Sequence, residues 1–167
     1  MTVMTDPRIT RTEEHVYRSL EVILRTTDVT ALTFASIAAA ASVSRRTLHE
    51  HWETLPHLWA SLFTHFYLPM PPMNPDLPAE DQTVQALTHI RNNLATTVTR
   101  SVFLAADETG ATRRMILTLW KTELSERLRL KLDAEIFTQL VGPLCTDALF
   151  LATRTSDAAI RKIARAY

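Results

Sequence analysis

The segment from residue 33 to residue 52 constrains the fold more than any other part of this 167-residue chain. Its first half, after Thr33, consists almost entirely of small and apolar residues. Its second half begins at Ser44, and two arginines and a threonine follow directly. Threonine and serine are preferred helix caps, so the pattern predicts two short helices, over 34–41 and 45–52, joined by a tight turn. A helix of small residues lets its neighbour pack closely, as in a helix-turn-helix.

Apolar residues at helical spacing recur along the rest of the chain, and no strand-like alternation persists. We therefore predict an all-α fold. The expected helices are one that carries Val16 and Leu20, one capped by Thr54, and further helices over 80–100, 101–106, 111–129, 134–153 and 157–167. Asp133 and Ser156 are the expected caps of the last two. Gly142 and Pro143, inside the helix over 134–153, predict the close approach of another helix or a kink.

Five prolines between residues 68 and 78 cannot continue a helix. We interpret this stretch as a stiff linker, part of which could pack on the second domain. The predicted organisation is a three-helix N-terminal domain over 1–53, a connecting helix and linker over 54–78, and a helical domain over 79–167.

Composition narrows the possible functions. Eighteen Lys plus Arg balance eighteen Asp plus Glu, and the first 52 residues are also balanced, so any attraction to nucleic acid must come from local placement of charge. Only two glycines are present, which argues against a glycine-rich phosphate loop. A single cysteine, no apolar leader and no long apolar run suggest a cytoplasmic protein without a membrane span.

This layout resembles the TetR family of transcriptional regulators. The resemblance is closest over 33–52, where about ten positions agree in order and spacing without gaps. Those positions are Thr33, Phe34, Ile37, Ala38, Ala41, Val43, Ser44, Thr47, Leu48, His51 and Trp52. The Gly-Pro-Leu at 142–144 is similar to the penultimate helix of one type of TetR ligand domain. Three positions depart from the pattern: Ser42 replaces glycine, His49 replaces tyrosine, and Leu55 replaces lysine.

The resemblance implies a repressor that binds a near-palindromic double-stranded DNA operator through this segment. Two arginines at a helix N-terminus oppose the helix dipole, and DNA contact would explain them. The expected DNA-binding residues are Thr33, Ser44, Arg45, Arg46, Thr47, His49 and Thr54. His51 and Trp52 are instead expected to fasten the third helix to the fourth.

A small apolar or aromatic effector is expected in the second domain, where it would release the DNA. Candidate lining residues are His89, Phe103, Met115, Trp120 and Phe137, with Phe150 as a further candidate. Core filling is the competing interpretation for each of them. Cys145 is expected to be an inert buried thiol.

A homodimer through the last two helices is also expected, on apolar stripes at Leu140, Leu144, Ala148, Leu151 and at Ile160, Ile163, Tyr167. The alternative is that these stripes face the core of their own chain. His49, His51 and His57 do not share one helical face, so no metal site is expected, nor any other cofactor. No nucleophile–base pair indicates an enzyme. The alternative function is a dimeric helical adaptor or ligand-binding protein with weak or lost DNA binding.

Overall fold

The computed structural model describes residues 7–66, 69–104 and 110–167, and these ranges contain helices and connecting segments but no β-strand. The predicted all-α class is confirmed. The helices are α1 (Pro7–Ile23), α2 (Phe34–Ala40), α3 (Arg45–His51), α4 (Leu55–Phe66), α5 (Ala79–Leu94), α6 (Thr97–Leu104), α7 (Ala111–Leu128), α8 (Ala134–Cys145) and α9 (Asp157–Ala164). A 3₁₀ turn (Val29–Ala31) precedes α2, and a π-helical turn (Thr146–Phe150) continues α8.

The predicted caps explain where five of these helices begin. In each case the side chain accepts a backbone N–H from the third residue beyond it, at 2.8–3.3 Å. The five residues are Thr33, Ser44, Thr54, Asp133 and Ser156. These bonds satisfy amide groups that lack a partner in the first helical turn.

Two boundaries differ from the prediction. The expected helix over 80–100 ends at Leu94, and α6 begins at Thr97. The physical reason is Thr96, whose hydroxyl accepts the Thr99 N–H at 3.2 Å and so starts a new helix. The predicted end of that short helix and most of the turn before Gly110 lie outside the described residues.

Gly142 does not receive a neighbouring helix, contrary to one of the two expectations. A Cβ placed there would meet only the Thr138 methyl group, at 3.6 Å on the same helix. Helix geometry instead widens after Pro143 into the π-helical turn, where the Leu151 N–H bonds to the Thr146 carbonyl at 3.1 Å. The distortion belongs to α8 itself, because proline supplies no backbone N–H.

One continuous cluster of buried apolar side chains joins the N-terminal helices to the C-terminal ones. It runs from Val16 and Leu20 on α1, through Leu58 and Leu62 on α4, to Trp120 on α7. Helix α4 packs on α7, while α5 packs on α8 and α9. Because α4 contributes to both halves, a movement of α4 would change the packing on both sides.

The proline-rich segment also packs on the protein. Met70 is buried and Met73 is half-buried against the core. We call residues 69–78 the proline strap, because they cross from the end of α4 to the start of α5. The strap is therefore more than a spacer, although its first predicted residue, Leu68, lies outside the described residues.

Most of the stripe residues proposed for a dimer face the core of their own chain. Leu140, Leu144 and Ile160 are fully buried within one chain, and Ala148 and Ile163 are partly buried against the same core. Leu151 and Tyr167 remain exposed. The two stripes consequently do not form an uncovered surface, because α5 already covers α8 and α9.

Candidate nucleic-acid interface

The turn between α2 and α3 is closed by two backbone hydrogen bonds. Ser42 has a φ of 52°, its N–H donates to the Ala39 carbonyl at 3.2 Å, and the Val43 N–H donates to the Ala38 carbonyl at 3.0 Å. This is the Schellman arrangement that commonly ends a helix. A side chain in this left-handed conformation costs about 1 kcal/mol relative to glycine, so the strain expected at Ser42 is present.

Helix α1 fixes the same turn from the other side. His15 Nε2 donates to the Ala41 carbonyl at 2.8 Å, which satisfies an acceptor at the end of α2. Ile37 and Leu48 are fully buried, so both short helices are anchored in the core as predicted. No local pattern indicates the His15 contact, because it spans 26 positions along the chain.

The first turn of α3 presents its polar side chains to solvent. Arg45, Arg46 and His49 are exposed, and Thr47 is half-buried beside the cap, with its hydroxyl 2.8 Å from that of Ser44. The Arg46 side chain is 87% exposed and its Nε donates to Glu50 Oε1 at 2.7 Å. That hydrogen bond raises the pKa of Arg46. Arg45 has no ion-pair partner within the part of the chain that the structure describes.

His49 packs against α2 while it remains exposed. Its ring meets the edge of Phe34 with centroids 4.5 Å apart, which places the imidazole beside the N-terminus of α2. Thr33 caps that terminus. Helix N-termini with free amide groups attract phosphate, so Thr33 and His49 lie at the same edge of the candidate surface.

The inward side of α3 is held by α1. Trp52 is buried and lies 5.6 Å from the Tyr17 ring, and its indole N–H bonds to the Tyr17 hydroxyl. His51 Nδ1 lies 3.4 Å from Glu13 Oε1. His51 and Trp52 are thus structural, as expected, but these contacts tie α3 to α1 rather than to α4.

Tyr17 connects these helices to α4. Its ring lies 5.0 Å from the ring of His65, and Ser61 also hydrogen-bonds its hydroxyl. Burial is the main reason that the pKa of Tyr17 is raised. Sequence reasoning missed Tyr17 and Glu13 as supports of the recognition helix. The available signal was that Tyr17 follows Val16 on the buried stripe of α1.

The five residues expected to line an effector pocket do not come together. Phe103 and Trp120 stack at 5.3 Å and both contact Phe63, so they form a buried aromatic cluster of the core. Phe137 is buried as well. The aromatic residues fill the core because α4 packs directly against α7 and leaves no space between them.

The remaining candidates lie on different surfaces. Met115 is 39% exposed and faces a groove between α1, α4 and α7, whereas Phe150 is 77% exposed. His89 lines a separate cavity of about 410 Å³ between the proline strap and α5. Cys145 lies on α8, where burial raises the pKa of its thiol to about 12, in line with an unreactive cysteine.

Comparisons with known proteins assign no family to the chain. No family model matches the sequence, and no curated protein matches it either. Within the described ranges, no helix combines the length and apolar character needed to cross a membrane. The same residues contain no group of three or more His, Cys, Asp or Glu side chains arranged to hold a metal ion.

Proposed function

We propose that this chain is a TetR-type transcriptional regulator that binds a near-palindromic DNA operator through α2 and α3, as a repressor released by a small ligand. The observation that carries the proposal is the first turn of α3. Arg45 and Arg46 project into solvent directly after the Ser44 cap. Cations at this end of a helix oppose its dipole, so the arrangement gains its benefit from an anionic partner.

The chemistry of that surface matches duplex DNA. An arginine can bond both acceptors of a guanine in the major groove. The capped N-termini at Thr33, Ser44 and Thr54 offer amide groups to phosphates, which position a protein without specifying sequence. Arg45, Arg46, Thr47 and His49 supply the outward-facing side chains for base and phosphate contact.

The Arg46–Glu50 ion pair favours the alternative, a helical adaptor or ligand-binding protein that has lost DNA binding. The carboxylate of Glu50 lies on the same exposed face and would approach phosphates. DNA remains the better proposal because Arg45 stays unpaired in the described structure. Glu50 can also accept a hydrogen bond from cytosine N4.

Selection of bound duplexes from a random pool, followed by gel-shift titration, tests DNA binding. Replacing both Arg45 and Arg46 by alanine should weaken binding at least about thirtyfold, because each base contact contributes roughly 1–3 kcal/mol. The matched control, Lys131→Ala with Lys162→Ala, removes two exposed charges elsewhere and should retain affinity. Equal affinities for the two double variants would refute the assigned surface, and failure to select any duplex would favour the adaptor.

We also propose that two copies bind the operator together. Successive major grooves on one side of DNA are about 34–36 Å apart, which two linked recognition helices can span. Phe150 and Leu151 are 77% and 61% exposed at the end of the π-helical turn, and they are the apolar side chains available for pairing there.

Sedimentation velocity of a Phe150→Asp, Leu151→Asp double variant tests this surface. It should convert a dimer to a monomer. Val22→Asp, which charges another exposed apolar position on α1, should leave the dimer intact. A monomeric wild-type protein, or a double variant that remains dimeric, would contradict the assignment.

A further inference from the structure

The proline strap and α5 enclose a cavity of about 410 Å³. This volume lies within the range of roughly 300–1,000 Å³ found for small-molecule sites. Met70 and Met73 on the strap and Val84 on α5 form apolar walls, while Gln85, Thr88 and Asn92 supply polar groups. Methionine side chains adapt to the shape of a ligand. Prolines in the strap restrict the backbone of one wall.

The residues lining the cavity carry no formal charge when His89 is neutral. Asn93 Nδ2 lies 3.0 Å from His89 Nε2, and the imidazole also bonds the Pro69 carbonyl. Burial lowers the pKa of His89, which keeps the ring neutral near pH 7. With these two hydrogen bonds the imidazole fastens the strap to α5, so it is not the group that would hold a ligand.

Asn92 provides the polar group best placed for recognition. Its side-chain oxygen accepts hydrogen bonds from Arg91 Nε at 3.4 Å and Arg154 at 3.1 Å. Those bonds fix the amide orientation, so its NH₂ group is the part left to donate. Within the described residues this NH₂ group makes no hydrogen bond of its own. It would therefore suit a ligand that brings an oxygen acceptor.

We propose that this cavity binds a neutral, mostly apolar small molecule that carries one hydrogen-bond acceptor, which Asn92 recognises. An anionic or cationic ligand would lose hydration without finding an opposite charge in the lining. The cavity lies apart from the buried Phe63–Phe103–Trp120 cluster, where no such space exists.

The regulatory role of this site rests on the proposed function, whereas binding itself does not. Met70 lies four positions beyond the end of α4 at Phe66, and α4 contacts Tyr17 on α1 through His65. A ligand that shifts the strap would act on α4, the helix shared by the core and the DNA-binding head. A change in DNA affinity then requires different ligand affinity for the two states.

Titration of the full chain with Nile red, a neutral apolar dye with a carbonyl acceptor, tests the site. Saturable binding of one dye per chain is expected. Gln85→Trp covers the cavity from an exposed position and should weaken dye binding about tenfold or more. Thr122→Trp adds the same side chain on exposed α7 surface, and Phe150→Ala removes the most exposed aromatic ring. Both should bind dye as the wild type does.

Several results would overturn the proposal: absence of dye binding, unchanged binding by Gln85→Trp, or loss of binding in Phe150→Ala. Equal affinity for the anionic dye anilinonaphthalene sulfonate would refute the expected preference for neutral ligands. A gel shift with and without Nile red separates the two proposals. Absent DNA binding in the dye-free protein would sink the proposed function but leave a cavity-specific dye site standing.

Discussion

Ser42→Gly is the sharpest test of the turn that orients α3. Ser42 occupies the left-handed region with φ 52°, and its side chain is exposed without a hydrogen bond in the described structure. Relief of the left-handed conformation is worth about 1–2 kcal/mol. The greater freedom of glycine in the unfolded chain offsets about 0.5–1 kcal/mol of this gain. The expected net stabilisation is therefore about 0.5–1 kcal/mol.

Thermal and urea unfolding measure the effect. A gain of this size should raise Tm by about 1–4 °C for a chain of this length. Ala39→Gly, on the exposed face of α2 three positions earlier, should instead destabilise by about 1 kcal/mol because its backbone is helical. A Ser42→Gly protein that is no more stable than the wild type, beside an Ala39→Gly protein that behaves as expected, would refute a strained turn.

Three further predictions concern charge and burial. Glu50→Gln should tighten DNA binding about two- to fivefold in gel-shift titration, because it frees Arg46 and removes an anion near phosphates; weaker binding would instead identify Glu50 as a base contact. Arg91→Met should lower the unfolding free energy by about 1–3 kcal/mol in urea titration, since the buried Thr155 carbonyl loses its donor at 3.1 Å. Because Arg91 lowers the pKa of Asp157, their interaction is present at neutral pH and is lost as pH falls through that lowered pKa, so the stability difference between wild type and variant should narrow in acid. Cys145, with a thiol pKa of about 12, should react with Ellman's reagent at pH 8 only after unfolding, and rapid labelling of the native protein would contradict its burial.

Local signals in the sequence determined much of the fold. Five caps, at Thr33, Ser44, Thr54, Asp133 and Ser156, were predictable because each depends on a residue only three positions away. The strained turn at Ser42 was predictable for the same reason. The break before α6 was missed, and Thr96 with its bond to Thr99 would have indicated it.

Predictions about which faces meet were less successful, because they depend on contacts between distant residues. Periodicity shows that Leu140, Leu144 and Ile160 are apolar, but it cannot distinguish a face covered by α5 from one that awaits a second chain. Aromatic residues posed the same problem. Phe103 and Trp120 could have lined a pocket or filled a core, and the closeness of α4 to α7 decides for the core.

The balanced charge of the N-terminal helices does not contradict a DNA-binding surface, because its charges are distributed unevenly in space. Glu13 faces His51 on the inward side of α3, and Glu14 pairs with Arg18 along α1. Arg45 and Arg46 lie on the outward side with Glu50 as their nearest described acidic neighbour. Phosphate attraction falls within about 10 Å at ordinary salt, so a surface carrying two arginines and one carboxylate acts locally as a weak cation. Such a surface predicts modest non-specific affinity, and discrimination between duplexes would then depend on base contacts rather than on the overall field.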